Sequence, residues 1–140
     1  MSAQPPVTIV VGVDGSGPSL DAVRFASRMA AQSKARVYLC AVLAPVQEMV
    51  MHDTSARPAR VLDDSFLVRA REEARRGGAE VQAELIHGEP VDELLQKVVA
   101  LRADILVVGV RRRGSSSELV QGSITMRLLD RAPCPVVLVP

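Results

Sequence analysis

The chain has 140 residues, enough to bury the core of a domain without disulfides or metal, and residues 1–140 are expected to form a single one. Seventeen basic and sixteen acidic side chains leave a net charge of +1, which excludes the global field that draws proteins onto nucleic acid or an anionic membrane. Aromatics are 2% (Phe25, Phe66 and Tyr38), so there is no platform for stacking single-stranded bases and the core has to be aliphatic.

Residues 1–6 are polar and lack a basic-then-apolar secretory pattern, and no apolar run approaches the roughly 20 residues a membrane helix needs. The expectation is a soluble, cytoplasmic protein with no nucleic-acid or membrane partner. Cys40 and Cys134 lie far apart and fit neither a CxxC pair nor a disulfide framework, so both are expected to be reduced and to serve packing.

In chain order, residues 7–13 (VTIVVGV) form a β-branched apolar run ended by Asp14-Gly15-Ser16-Gly17, the pattern of a buried parallel strand and a turn. Pro18 suits a first helical turn, and Leu20, Val23, Ala26, Ala30 and Ala31 recur at helical spacing, so a helix is predicted to about Ser33. Residues 36–44 (RVYLCAVLA) repeat the strand pattern and stop before Pro45. Residues 45–60 show no sustained periodicity; Val46, Met49, Val50 and Met51 suit a loop partly folded over its surroundings.

Leu62, Phe66, Ala70 and Ala74 mark a helix ended by Gly77-Gly78, and residues 80–86 (EVQAELI) alternate as a half-exposed edge strand does. Gly88-Glu89-Pro90 opens a helix with Val91, Leu94, Leu95, Val98 and Leu101 on one face. Residues 104–110 (DILVVGV) are a second strongly buried strand, ending at Gly109. After a loop rich in glycine, serine and arginine, residues 123–132 read as a helix, and Pro135 introduces a last strand over residues 136–139.

Strand and helix alternate throughout, and right-handed crossovers then require an α/β fold: a doubly wound five-stranded parallel sheet with helices on both faces. The runs after Thr8 and Asp104 are the most continuously apolar, which makes strands one and four central neighbours and the order 3-2-1-4-5. The winding direction reverses between those two strands, so the loops after Val13 and Gly109 are predicted to meet at one ligand site.

From VTIVVGVDGS through LVVGV to QGSITMRLLDRAPCPVVLV, the chain resembles the universal stress protein family almost end to end. The resemblance implies a five-stranded fold of the adenine nucleotide alpha hydrolase-like type. It also implies an adenine-nucleotide loop of the form Gly, two residues, Gly, nine residues, Gly, Ser or Thr. Gly109 and Gly122-Ser123 occupy the first and third glycine positions, and Arg112 stands at the second.

Gly109 would let backbone approach a ligand without a Cβ, while Gly122 and Ser123 would offer N–H groups and a hydroxyl at a helix N-terminus, with Ser123 as N-cap. Thr125 either adds a second hydroxyl toward phosphate or is an ordinary first-turn threonine. Arg112 either fills the phosphate pocket or reaches over it with its guanidinium, and Arg111-Arg112-Arg113 as a run also fits a solvated loop. The resemblance further implies ribose or base contact at Asp14 and backbone contact with adenine at Val42. Asp14 also fits a plain turn residue, and Gly12 is left unassigned between close approach and packing.

His52 and His87 have no partners at metal-ligand spacing, and the carboxylates Asp63, Asp64, Glu72 and Glu73 interleave with arginines as an exposed face does. No GxSxG elbow, Walker lysine or GxGxxG fingerprint occurs, so no enzymatic role beyond slow, incidental ATP hydrolysis is expected. The expected function is a regulatory or stress-response module taking ATP or another adenine nucleotide. The alternative is a member of the same fold that binds no nucleotide and acts as a dimeric interaction protein. Either way the apolar last strand, Val136–Val139, is an edge that invites a homodimer, as the resemblance also implies.

Overall fold

The computed structural model describes residues 6–43, 64–110 and 118–140, of which 118–122 are described by backbone alone. The 45–60 segment, His52, and the run Arg111, Arg112 and Arg113 lie outside these residues. The elements are β1 (Thr8–Val13), α1 (Gly17–Ser33), β2 (Arg36–Leu43), α2 (Ser65–Arg76), β3 (Glu80–His87), α3 (Pro90–Ala100), β4 (Ile105–Gly109), α4 (Glu118–Arg131) and β5 (Val136–Val139).

The five strands form one parallel sheet in the order β3-β2-β1-β4-β5, as the apolar runs predict. Strand β1 lies between β2 and β4, with Val11 opposite Leu39 on one side and Val107 on the other. Burial on both faces explains why β1 and β4 carry continuous rather than alternating apolar residues.

Alternation along β1 divides the core in two. Ile9, Val11 and Val13 pack with Val23, Ala26 and Ala30 of α1 and Leu67, Ala70 and Ala74 of α2. Val10 points to the opposite face, where Leu94, Leu95 and Val98 of α3 and Leu128 of α4 cover Leu106 and Val108. Helices α1 and α2 therefore shield one side of the sheet, and α3 and α4 the other.

Helix α1 starts where Ser16, in extended backbone, accepts a hydrogen bond from the Ser19 N–H, and it ends at Lys34 in the left-handed region with φ 55°. Helix α3 starts at Pro90, with the Glu89 carboxylate accepting from the Asp92 N–H at 2.7 Å.

Strand ends shift by a residue from the sequence reading, and two helices are read differently. The buried stripe of α2 is Leu67, Ala70 and Ala74; Leu62 lies outside the described residues, and Phe66 is half-buried against Gly15, whose φ is +85°. Helix α4 begins at Glu118 instead of Ser123, because nothing in Glu118-Leu119-Val120-Gln121 breaks a helix.

Candidate functional site

A cleft of about 150 Å³ opens at the carboxyl ends of β1 and β4, where the winding of the sheet reverses. Its wall includes Gly12, Val13 and Asp14 from the end of β1, Cys40 and Val42 from β2, and Val108 and Gly109 from β4. Ser19 of α1, Pro90 and Leu94 of α3, and Ile124, Thr125 and Leu128 of α4 complete it. Most of this surface is apolar, which suits a flat heteroaromatic group better than a bare ion.

Asp14 stands at the tip of β1, exposed, in a turn that its own side chain organises. Its Oδ1 accepts from the Ser16 N–H at 2.9 Å and from the Ser16 hydroxyl at 2.6 Å, and neither bond uses Oδ2. The Asp14 N–H donates to the Ser19 hydroxyl at 3.1 Å, so the strand tip is tied to the first turn of α1. Ser19 itself is only 3% exposed.

Gly109 has a structural explanation that the sequence did not suggest. A Cβ built there would overlap the Pro18 carbonyl group and lie 2.6 Å from the Ser19 nitrogen. The close approach that glycine permits is thus made by the N-terminus of α1 upon the end of β4. Gly12 also serves packing: a Cβ would meet Leu94 Cδ1 and Val108 Cγ1, each at 3.3 Å.

The remaining predicted residues separate. Val42 and Thr125 line the cleft beside Asp14 and Gly109, and Thr125 is half-buried. Ser123 is exposed and stands apart from the cleft wall. With α4 starting at Glu118, Gly122 and Ser123 sit beyond its first four N–H groups, so Ser123 is not the N-cap and neither residue heads the helix. Arg112 lies outside the described residues.

Sequence reasoning missed Cys40, Pro90, Leu94, Val108, Ile124 and Leu128, whose apolar character reads simply as core. Cys40 could have been found, being two residues before Val42 and therefore on the same face of β2. It is fully buried, and burial pushes its thiol up to about 11, with the Lys97 charge opposing and Glu93 adding. Cys134 is a half-buried free cysteine whose pKa burial also raises. Among the described residues there is no cluster of three metal-ligating side chains, and His87 is exposed.

Two ion pairs join α4 to the start of α3. Arg127 Nη1 lies 3.0 Å from Glu89 Oε1, and Arg131 Nη1 lies 2.9 Å from Asp92 Oδ1. All four side chains are close to half exposed.

Compared with known proteins, residues 7–140 match the profile of the universal stress protein family. The chain belongs to this family. It is 31% identical over 133 residues to a universal stress protein of Thermus aquaticus, covering 94% of this chain and 97% of that one. It is 32% identical over 145 residues to one of Mycobacterium tuberculosis, covering 94% of each. Among solved structures, a universal stress protein in complex with cAMP superposes with a TM-score of 0.74 at 28% identity, covering 97% of this chain and 98% of that one. A universal stress protein of Archaeoglobus fulgidus in complex with dAMP shares the fold, with a TM-score of 0.70 at 20% identity and 98% coverage of each chain. No helix among the described residues is long and apolar enough to cross a membrane.

Proposed function

We propose that this universal stress protein is a regulatory or stress-response module that binds an adenine nucleotide, ATP or a relative of AMP, in the cleft at the β1 and β4 tips. The observation that carries the reading is the meeting of Asp14, Val42, Gly109 and Thr125 on one largely apolar cleft at the switch point of the sheet. The relative solved with cAMP lends it support at 28% identity.

In this reading the base lies against Val42 and the apolar floor, with Asp14 Oδ2 available to ribose hydroxyls. The phosphates lie against Gly109 and Thr125 and extend past the cleft wall toward Gly122 and Ser123, with Arg112 as a further contact. Residues 1–140 act as one domain, in the cytoplasm, with at most slow, incidental ATP hydrolysis. A homodimer forms by pairing of β5, which is an edge of the sheet, with its copy.

A second reading, a dimeric interaction protein that binds no nucleotide, is favoured by Gly109, since Pro18 and Ser19 alone account for its missing Cβ. Calorimetric titration of nucleotide-stripped protein with ATP, ADP, AMP and cyclic AMP, beside an Arg112→Gly variant, separates the two. Heat of binding in the wild type is expected. Binding only in the variant selects the second reading, and silence in both removes the nucleotide site altogether.

A further inference from the structure

We propose that Glu89 and Arg127 are positioning residues that clamp α4 against the start of α3 and so set the width of the cleft; this rests on the nucleotide reading above. The Glu89 carboxylate is divided between two tasks. Its Oε2 accepts from the Asp92 N–H at 2.7 Å, which caps α3, and its Oε1 receives Arg127 Nη1 of α4 at 3.0 Å. The next residue along α3 is Pro90, and the neighbours of Arg127 on α4 include Ile124, Thr125 and Leu128; all four line the cleft. One carboxylate therefore joins two parts of the same wall.

The described stretch of α4, residues 123–131, has particular need of such a tie. Helix α1 buries six residues and α3 four, whereas Leu128 is the one fully buried side chain among those described in α4. Where apolar anchorage is this sparse, over residues 123–131, polar contacts weigh more heavily on local opening. The Arg131–Asp92 pair, one turn further along both helices, fixes the same approach at a second point. Pairs this exposed contribute little to global stability. Their leverage falls on the position of α4, and hence on how long a ligand stays beneath Thr125 and Ile124.

The test compares wild type with Arg127→Met, Arg127→Lys and Glu89→Gln, in which the amide oxygen still caps α3. Glu84→Gln is the control: it removes the 2.7 Å pair with Lys97, which involves no residue of α4. AMP and cyclic AMP are the probes, with dissociation rates by stopped flow and amide hydrogen exchange on ligand-free protein. Arg127→Met and Glu89→Gln are expected to bind about two- to fivefold more weakly, through faster dissociation. Arg127→Lys is expected to stay near wild type, and Glu84→Gln to match it. In ligand-free protein, the amides of residues 124–131 are expected to exchange faster in Arg127→Met and Glu89→Gln, with α1 unaltered. Unchanged exchange in both variants overturns the clamp whether or not nucleotide binds, as does faster exchange with unchanged dissociation. Absence of binding in wild type removes the nucleotide reading, and exchange alone then decides whether the clamp exists.

Discussion

Replacing Gly109 with alanine asks whether this glycine serves a ligand or the fold. The added methyl would overlap the Pro18 carbonyl group and lie 2.6 Å from the Ser19 nitrogen, and these are backbone atoms that cannot turn aside as a side chain can. Relief requires the start of α1 to move off β4, disturbing the Asp14 N–H to Ser19 hydroxyl bond of 3.1 Å. Overpacking of this kind costs about 3 kcal/mol, at the upper end of its usual range. With an unfolding entropy near 2.1 cal/mol/K per residue, a chain of this length loses about 3 °C per kcal/mol, so Tm is expected to fall by about 10 °C. Thermal unfolding followed by circular dichroism measures it, with Gly12→Ala alongside. There the obstructing atoms are side-chain methyls at 3.3 Å that need give by only a few tenths of an ångström, and a loss of about 1 kcal/mol or less is expected. A Gly109→Ala protein that melts with the wild type yet no longer binds nucleotide would refute the packing argument.

Ser27 is 3% exposed, and its hydroxyl donates to the Ala74 carbonyl at 2.8 Å across the α1–α2 seam. That carbonyl also accepts from the Gly77 N–H at 3.2 Å, so Ser27→Ala strands no buried acceptor and is expected to cost about 1 kcal/mol in urea unfolding. A loss beyond about 3 kcal/mol would mean the hydroxyl does more than close this seam. Cys40 supplies a pH dependence. Its pKa rises from 9.0 in the unfolded chain to about 11 in the fold, so the unfolded state ionises first. The associated stability is fully present below pH 9 and is lost as pH climbs toward 11, at about 1.4 kcal/mol per pH unit. The difference between wild type and Cys40→Ala in urea midpoints from pH 8 to 11 isolates this slope; parallel curves would contradict it.

The sheet order was legible because β1 and β4 carry unbroken apolar runs while β3 alternates, and the switch point follows from that order. The site was legible only in part. Asp14, Val42, Gly109 and Thr125 do come together, yet the sequence gives no sign that Gly109 answers to Pro18, a contact between residues 91 positions apart. Leu94 and Leu128 were hidden because cleft and core take the same side chains, and only the fold decides which apolar face remains uncovered. The start of α4 was misread for a local reason. Gly122-Ser123 looks like a helix opening, but helix propensity in the four residues before it extends the element back to Glu118.

The pairing of β1 with β4 also sets a timetable for synthesis. Ile9 finds its partner Ile105 only after 96 further residues have been made, whereas β2, its neighbour on the other side, starts at Arg36. At about 5–20 residues per second, the β4 side of β1 therefore stays unpaired for roughly 5–20 seconds after β1 is made. During that interval Val10 and Val11 border an open strand edge, the feature most prone to pair with the wrong chain. The half-sheet β1-β2-β3 with α1 and α2 can pack in the meantime; the arrival of β4 brings Gly109 against Pro18, and the crevice is complete only once Ile124, Thr125 and Leu128 of α4 follow.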